Sequence, residues 1–531
     1  MDRRTFIRTS AGLAPAFSTR MISTARGVVP LAADLQFWAG FSSVPIHSCI
    51  RSQTAFRRPL EAVCASLASS DKHVILLSLD LIGMSREEWK MLREAVAGGA
   101  GIPSSRVWIH TTHTHSAPWG ARGDGNQQIV GLDKKLVECA QQAVSAARPA
   151  SIRAGITDVG KSLSLYRRGD TGADLGLQTF WFGYTYRDND DRPDASALVN
   201  EMRSRWLDRK PDYTPTDEPL WFDGEVDSLV QSIRFEDENS QCIGSMVRFA
   251  AHPHLTCSCL PWKYDPDYPG VVRRVIQQHS NFPVMFLTGA CGNLVPKEKV
   301  KYKVDESRIQ PFPHLGPSSA FYPENEQELL DEMDRIGTAV AGSALAGLKQ
   351  ALTEKVAFFG VASAEYDVTL DTALPASRQE IETIRKALAA EAMALRCGNH
   401  PLRELRGIAN RLNWLDWAGS ASLDLISDEE RASAVIKMPL AAMIIDRHVF
   451  LFLHSEIVAE TTFELRKALP QFDLWTMGLT NGDLGYFPTA RMIDESGYEG
   501  RSTLIAGNAE EKLRNDILDL LKKTDLGLKT R

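Results

Sequence analysis

The sequence predicts an α/β protein, with one large catalytic domain that contains a mixed or parallel sheet, flanking helices and inserted loops. Three observations predict this class. The chain has 531 residues, of which 44% are hydrophobic, so it can bury a sizeable core. Apolar runs rich in β-branched residues alternate with segments of helical period. Polar segments that carry histidines follow several of the apolar runs.

The first strand–helix–strand unit lies between residues 72 and 116. Residues 72–83, "KHVILLSLDLIG", are typical of a buried strand. Ser85 followed three residues later by Glu88 predicts a capped helix start, and Gly98-Gly99 predict its end. Residues 106–116 form a second apolar run that leads into a loop. Such a unit predicts parallel strands, and ligands bind at the carboxyl ends of such strands.

Further elements follow along the chain. Helices are expected at 341–352 and 377–396. Apolar strands are expected near the starts of the segments 247–258, 284–296 and 448–469, each followed by a polar turn. The segments 186–220 and 297–327 are polar and contain prolines, so we expect long inserted loops or lids there. No second-domain boundary is predicted.

Composition excludes several classes of protein. The net charge is −7, which argues against a nucleic-acid partner. The eight cysteines are unevenly spaced and do not form a disulfide framework. Cys257-Ser-Cys259 lacks a second cysteine pair, so ordinary buried thiols are favoured there over a metal site. No uninterrupted apolar stretch is long enough to predict a membrane span; contact with a membrane surface and the oligomeric state are left open.

The N-terminus predicts export. Arg3-Arg4 followed by "TFIR" resembles a twin-arginine signal. We expect residues 1–25 to be an export signal, cleaved near Ala25, and the protein to be periplasmic or secreted. A disordered basic tail is the alternative.

Two histidine pairs are the strongest indication of chemistry, because the chain has only 12 histidines. His113 and His115 follow one predicted strand, and His252 and His254 follow another. Side chains two apart on an extended strand face the same way, so each pair could share a ligand. His110 lies on the strand itself and is expected to be structural.

A metal site would also need a carboxylate, because zinc binds imidazoles and carboxylates in proteins. Glu456, between a predicted strand and a helix, could supply it. The spacing alone favours a helix-capping carboxylate at this position instead. Tyr486, after the turn Asn481-Gly482-Asp483, could equally be a packing residue.

The order of these segments resembles that of the neutral/alkaline ceramidases, which are zinc-dependent amidases that release a fatty acid from sphingosine. The matching stretches are "SLDLIG", "GIPSSRVWIHTTHTHSAP", "FAAHP", "DYPG", "FLTGACGN", "HSEIVAETTFELRKAL", "GLTNGDLGYFPT" and "GYEGRSTL". They cover residues 28–510 discontinuously, and THTHS and GYEG-x-STL are the most specific. The resemblance implies a ceramidase-like zinc hydrolase domain over residues 28–525.

The resemblance also implies roles for individual residues. One zinc ion would be held by four ligands: His113, His252, Glu456 and Tyr486. His115 would be the acid/base, and Arg167, in "SLYRRGD", would hold a substrate oxygen. A substrate oxyanion would be stabilised by the turn after residue 288, through Gly289, Gly292 and Asn293.

This sequence departs from the family pattern in three respects, one of which is that the family's PGE-type segment is His454-Ser455-Glu456 here. The family turn Gly-Asp-Val-Ser-Pro, with its essential serine, corresponds to Gly292-Asn293-Leu294-Val295-Pro296. Val295 can neither attack a carbonyl nor donate a hydrogen bond. The family's C-terminal immunoglobulin-like domain has no counterpart in this sequence.

Three functions are therefore weighed. The first is a ceramidase-like zinc amidohydrolase of sphingolipid metabolism, in which metal-activated water attacks an acyl carbonyl of an amide or ester. The second is an exported zinc hydrolase of a small polar or carbohydrate-derived substrate, suggested by the polar insertions. The third is a zinc-stabilised binding protein without catalysis, suggested by the lost serine.

Overall fold

The structure is a computed structural model, and it describes eleven ranges of the chain. These are residues 35–120, 128–170, 177–179, 185–186, 193–194, 224–259, 261–278, 281–300, 302–304, 321–397 and 402–524. The predicted export signal, most of 186–220 and much of 297–327 lie outside these ranges.

The described strands are numbered in chain order. They are β1 Trp38–Pro45, β2 Ile50–Arg51, β3 Glu61–Ala68, β4 His73–Leu79, β5 Val107–Thr111, β6 Gln128–Ile129, β7 Arg148–Pro149, β8 Ser151–Asp158, β9 Ser164–Tyr166, β10 Arg168–Asp170, β11 Leu177–Thr179, β12 Thr185–Tyr186, β13 Pro193–Asp194, β14 Leu229–Glu236, β15 Cys242–Phe249, β16 Val284–Thr288, β17 Leu294–Pro296, β18 Tyr302–Val304, β19 Phe321–Pro323, β20 Glu354–Lys355, β21 Phe359–Thr369, β22 Val435–Ile445, β23 His448–Leu453, β24 Glu456–Ile457, β25 Asp473–Met477 and β26 Tyr486–Phe487.

The described α-helices are numbered in the same way. They are α1 Arg86–Ala100, α2 Leu132–Ser145, α3 Asp267–Gln277, α4 Glu326–Gln350, α5 Arg378–Cys397, α6 Leu402–Trp414, α7 Ser420–Leu425, α8 Asp428–Ser433, α9 Ala459–Ala468, α10 Ala490–Glu495, α11 Gly497–Arg501 and α12 Ala509–Lys522. A π-helical turn, Leu415–Gly419, joins α6 to α7.

Three larger mixed sheets build the described part of the domain. Their strand orders are β5-β4-β3-β1-β7, β16-β15-β14-β8-β20 and β21-β22-β23-β25. Each sheet contains one parallel pair, namely β4 with β5, β15 with β16, and β23 with β25. Buried side chains from all three sheets, including Trp108, Met246 and Phe452, share one core cluster. The structure thus confirms the predicted α/β class and the single large domain.

The three parallel pairs bring the predicted site loops together. The amide of Thr111, at the end of β5, donates to the carbonyl of Leu479 after β25 at 3.1 Å, and the amide of His115 donates to Pro253 after β15 at 2.9 Å. All the site loops therefore leave carboxyl ends of parallel strands and converge, as expected for mixed α/β sheets.

The first helix has the predicted start and a different end. The amide of Ser85 donates to the Glu88 carboxylate at 3.1 Å, and the amide of Glu88 donates to Ser85 Oγ at 3.3 Å. The prediction that Gly98-Gly99 end the helix is wrong, because the helix continues to Ala100. It ends where Gly101 adopts a left-handed conformation, at φ 69°, which glycine adopts without steric cost.

A helical insert, defined here as residues 378–433, lies between β21 and β22. The sequence predicted its first helix, and that prediction is confirmed by α5. The other helices of the insert were not predicted. The insert reaches the candidate site, because a β-carbon at Gly485 would lie 2.0 Å from the Trp417 ring.

Two further features bear on class. All eight cysteines are free, including Cys257 and Cys259. Within the described ranges, no helix combines the length and the apolar character that crossing a bilayer requires.

Candidate metal centre

His113 lies in the loop after β5, in a conformation that few residues with a β-carbon adopt. Its φ is 65°, so the pair His113 and His115 is not part of an extended strand as the sequence reasoning assumed. The amide of His113 donates to Leu81 at 3.0 Å, and its Nδ1 donates to the carbonyl of Ile82. The ring is thereby fixed with Nε2 left to face the site.

His252 is oriented in the same manner by the loop after β16. Its Nδ1 lies 2.8 Å from the carbonyl oxygen of Cys291 and 3.1 Å from that of Leu294. Since a carbonyl only accepts, Nδ1 carries the proton and Nε2 keeps its lone pair. Metal-binding histidines are commonly held by a hydrogen bond from the other ring nitrogen to a backbone carbonyl.

Glu456 places a carboxylate oxygen between these two rings. Its Oε2 lies 2.9 Å from Nε2 of His252 and 3.3 Å from Nε2 of His113. The preceding residue, Ser455, has a φ of 65°, which turns the chain sharply out of β23. The carboxylate therefore faces the imidazoles and does not cap α9, which begins at Ala459.

Tyr486 completes one side of the group. β24 and β26 are parallel, with Glu456 directly beside Tyr486. The phenolic oxygen of Tyr486 lies 3.4 Å from Nε2 of His252, and the two rings are stacked. Tyr486 is 2% exposed, so its hydroxyl faces the centre and not bulk solvent.

His115 joins the same cluster from the other side. Its Nε2 lies 3.3 Å from Nε2 of His113. The candidate ligand nitrogens of His113, His115 and His252 all lie within 4.8 Å of one another, so these three imidazoles could hold a metal ion. His115 is partly exposed, whereas His113 and His252 are buried.

The donor atoms are spaced as ligands of one ion would be. Zinc binds nitrogen and oxygen ligands at about 2.0–2.2 Å, so two ligands of a tetrahedral ion lie about 3.3 Å apart. Four separations between donor atoms are close to this value. They are 2.9 Å for His252 and Glu456, 3.3 Å for His113 with Glu456 and with His115, and 3.4 Å for His252 and Tyr486. Neutral imidazoles, a carboxylate and a phenol oxygen also suit a borderline-soft divalent ion. The residues present fit such a metal.

The electrostatics of the cluster favour a charged carboxylate and neutral imidazoles at His115 and His252. Burial, with the nearby charge of Arg167, lowers the pKa of His252 to about 3. Burial raises the pKa of Glu456, but His113 and His252 outweigh it and hold that pKa well below its usual range. Burial and the neighbouring imidazoles lower the pKa of His115. Burial alone would lower the pKa of His113, but the Glu456 carboxylate outweighs it and raises that pKa. A metal ion binds the neutral imidazole, so binding at His113 would displace a proton.

The other two histidines of these segments lie outside the donor group. His110 accepts a hydrogen bond from the amide of Thr288 at 3.0 Å, while its Nδ1 lies 3.0 Å from the carbonyl oxygen of Gly478. Both ring nitrogens thus hold the fold together, which confirms the expected structural role. His254 directs Nδ1 at the carbonyl of His252, 3.0 Å away.

Arg167 is buried beside the donor group. Its Nε donates to Glu499 at 2.8 Å, and its Nη2 donates to the carbonyl of Gly292 at 2.5 Å. Its guanidinium carbon lies 5.3 Å from the ring centre of Tyr486. These contacts place Arg167 against a donor residue. The predicted contact with a substrate oxygen stays a prediction.

The turn assigned to the oxyanion is bonded to the protein itself. The amide of Gly289 donates to Phe249, and the amide of Gly292 donates to Ile457, each at 2.9 Å. This hydrogen bonding does not support the predicted oxyanion role of the two amides. The glycine at 292 has a packing reason, because a β-carbon there would lie 2.7 Å from the carbonyl oxygen of Glu456.

Asn293 and Val295 are likewise used by the fold. The side-chain oxygen of Asn293 accepts from the amide of Ala459 at 2.9 Å, and its nitrogen donates to Glu460 at 2.6 Å. Asn293 therefore holds the start of α9, the position for which the sequence favoured Glu456 as the cap. Val295 is fully buried in β17, opposite Leu165.

The sequence reasoning missed three residues beside the centre. Asp483 is buried, and one of its carboxylate oxygens has no hydrogen-bond partner among the described residues. Burial and the Glu456 charge raise the pKa of Asp483 to about 7. The ring of Tyr498 lies 5.2 Å from that of Tyr486, and Glu499 pairs with Arg167. The sequence pattern identified Asp483 only as part of a turn, and it predicted no role for Tyr498 or Glu499 in "GYEG".

The fold and the cluster together define an α/β protein with a buried group of imidazoles that could hold a metal ion. No protein-family model matches the sequence, and no curated protein matches it. Among solved structures, neutral ceramidase from Pseudomonas aeruginosa is similar with a TM-score of 0.57 at 16% identity, over 92% of this chain and 74% of that chain. A ceramidase complexed with C2 is similar with a TM-score of 0.55 at 15% identity, over 92% of this chain and 75% of that chain. The chain therefore has the fold of these ceramidases.

Proposed function

We propose that the protein is a ceramidase-like, zinc-dependent hydrolase. It would use a single zinc ion and cleave an amide or ester bond of an acyl substrate. The observation that carries this proposal is the position of Glu456, whose Oε2 lies within 3.3 Å of His113 and 2.9 Å of His252. Zinc, when bound, supplies Lewis-acid chemistry that acidifies water and polarises an acyl carbonyl. The ceramidase fold supports the same reaction class by analogy alone.

His113, His252, Glu456 and Tyr486 are the proposed ligands. The two imidazoles present Nε2 because their Nδ1 protons are held by backbone carbonyls. The carboxylate supplies one negative charge to the ion. These four residues would hold the ion, and zinc bound there would supply the Lewis acidity that activates a water molecule.

His115 is the proposed proton carrier. It is the imidazole of the cluster that is partly exposed, and its Nε2 lies 3.3 Å from Nε2 of the proposed ligand His113. In this position it takes a proton from the attacking water and returns it to the leaving nitrogen or oxygen. General acid–base catalysis of this kind contributes about 10²–10⁴-fold. No side-chain nucleophile is needed, which agrees with Val295 in place of the family serine.

Arg167 is the proposed group that stabilises the negative charge on a substrate oxygen at the candidate metal centre. Its charge lies 5.3 Å from the Tyr486 ring, and its Nε is held by Glu499 at 2.8 Å. A fixed cation in a site without bulk water stabilises developing charge strongly, because it needs no reorganisation during the reaction.

The alternative ligand set is His113, His115 and His252, which is also compact enough for a metal. In that arrangement Glu456 would be the proton acceptor in place of His115. The two arrangements differ in a measurable way, because loss of a ligand lowers metal affinity, whereas loss of a proton carrier lowers turnover alone.

The test is hydrolysis by the purified full chain, before and after chelation and on return of zinc. The substrates are a short-chain ceramide, a long-chain ceramide, and matched small amides and esters. Zinc-restored release of fatty acid supports the proposal. Turnover of small polar substrates only would favour the alternative hydrolase. Lack of hydrolysis of every substrate by zinc-loaded protein would leave the non-catalytic binding protein and overturn the proposal.

Export through the twin-arginine-like N-terminus remains a separate proposal, tested by the location of the full-length chain in the expressing cell.

A further inference from the structure

A cavity apart from the candidate metal centre lies between the helical insert and the segment that carries α10 and α11. Its volume is about 490 Å³, which is within the usual range for a small-molecule site. One wall is apolar and combines side chains from α5, α6 and the segment 493–505, namely Ile384, Leu388, Trp414, Ile493 and Ile505. None of the proposed metal ligands lines it.

Arg501 places a positive charge in the lining of this cavity. Its Nη1 donates to Asn410 at 3.0 Å, and its guanidinium carbon lies 6.0 Å from the ring centre of Tyr498. Within the described residues, no carboxylate lies within 4.0 Å of its nitrogens. Two other arginines of this region do have a carboxylate partner, because Arg167 and Arg168 each pair with Glu499 at 2.8 Å.

Arg501 is partly exposed. An arginine that is partly withdrawn from water is commonly paired with a carboxylate, since burying an unpaired charge is costly. Here burial lowers the pKa of Arg501 to about 10, against the opposing influence of Tyr498 and Glu499, and the group stays charged at neutral pH. The other charged groups of the lining are Arg411 and Asp371. The lining therefore carries a net positive charge next to an apolar wall.

We propose that this cavity is a binding site for an aliphatic carboxylate, with the carboxylate on Arg501 and the hydrocarbon chain along the apolar wall. Guanidinium groups pair well with carboxylates because their N–H donors match the two oxygens. The apolar wall explains why an amphiphile fits better than an inorganic anion. Tyr498 lies near both Arg501 and Tyr486, so the ligand would sit close to the candidate metal centre without touching it.

The experiment is isothermal titration calorimetry with decanoate as the probe and 1-decanol as its uncharged counterpart. It uses the full chain carrying His252→Ala, which removes the proposed hydrolysis and leaves the cavity lining unchanged. Binding in this background tests the cavity independently of the proposed function. We expect decanoate to bind at least about tenfold more tightly than decanol, because a hydrogen bond to a charged group contributes about 1.5–3 kcal/mol.

Two variants locate the site. Arg501→Gln should weaken decanoate binding about tenfold or more and leave decanol unchanged. Ile384→Trp, which fills the apolar side, should weaken both ligands. Arg411→Gln is the matched control, because it removes a charge from an exposed residue of the same lining, and it should change affinity by less than about twofold.

Three results would overturn the inference. They are the absence of decanoate binding, equal affinity for decanoate and decanol, and unchanged decanoate affinity in both Arg501→Gln and Ile384→Trp. If Arg501→Gln does not fold, Ile384→Trp decides between the cavity and another surface.

Discussion

The Glu456 carboxylate lies 2.9 Å from Nε2 of His252, although the two residues are 204 positions apart in the chain. The contact joins the loop after β15 to the loop after β23, which belong to different sheets. On one side of this contact, the carbonyl of Cys291 fixes the His252 ring. On the other side, the turn at Ser455 orients the Glu456 carboxylate. The hydrogen bonds of the fold therefore hold these donor atoms close together.

His115→Ala tests the division of labour within the cluster. We expect metal content to stay close to that of the wild type and turnover to fall by about 10²–10⁴-fold, because the proton carrier is lost. Metal analysis and initial rates on the same preparation measure both quantities. His254→Ala is the control, since His254 lies in the loop of His252 but outside the donor group. Loss of metal in His115→Ala would assign His115 to the ligand set instead.

Gly292→Ala tests the close approach of the turn to Glu456. The added β-carbon would lie 2.7 Å from the Glu456 carbonyl oxygen and 3.0 Å from that of Ile457. We expect a loss of about 1–3 kcal/mol of unfolding free energy, as found for overpacked sites, together with weaker metal binding. Gly342→Ala is the matched control, because no atom lies within 4 Å of its added β-carbon in α4. This control should be stabilising by about 0.5–1 kcal/mol. Equal effects at the two positions would contradict the packing argument.

Glu499→Gln tests the buried ion pairs beside the centre. Glu499 accepts from Arg167 and Arg168, both of which are buried. Removing its charge leaves two guanidinium groups without this partner, so we expect a loss of about 3–5 kcal/mol of unfolding free energy in urea. Glu495→Gln is the control, because Glu495 also pairs with Arg168 but is 32% exposed in its side chain. A loss in Glu499→Gln no larger than in Glu495→Gln would show that the pairs contribute little.

The same carboxylate predicts a pH dependence of stability. Burial alone would raise the pKa of Glu499, but Arg167 and Arg168 outweigh it and lower the pKa from 4.5 to about 2. A carboxyl whose pKa is lower in the folded state stabilises the protein above its unfolded pKa, and this contribution is lost as the pH falls through the folded value. The difference in unfolding free energy between wild type and Glu499→Gln should therefore be constant above about pH 5 and shrink between pH 4.5 and 2. A difference that does not change with pH would contradict this account.

The sequence predicted those parts of the fold that depend on local patterns. The strand–helix–strand unit and the cap at Ser85 follow from hydrophobic period and hydrogen bonding over a few residues, and the structure has both. The end of α1 was missed because two glycines within a helix reduce its stability without ending it. The left-handed residue that does end it is Gly101.

The site was predictable where it relied on residue types and unpredictable where it relied on long-range geometry. His113 and His252 stood out because histidine is rare in this chain. Asp483 and Glu499 did not, because a carboxylate acquires its importance from burial and from partners far away in sequence. Asn293 is the opposite case. Its place in a glycine-rich turn suggested a substrate contact, but its side chain holds the start of α9.

The central claim is that His113, His252, Glu456 and Tyr486 hold one metal ion. The most direct measurement is metal content per chain, by elemental mass spectrometry, for the wild type and Glu456→Ala after equilibration with zinc. Glu460→Ala is the control, because Glu460 lies in the first turn of α9, just after β24. We expect about one zinc per chain in the wild type and in the control, and a clear loss in Glu456→Ala. Wild-type protein without bound zinc, or full zinc content in Glu456→Ala, would contradict it.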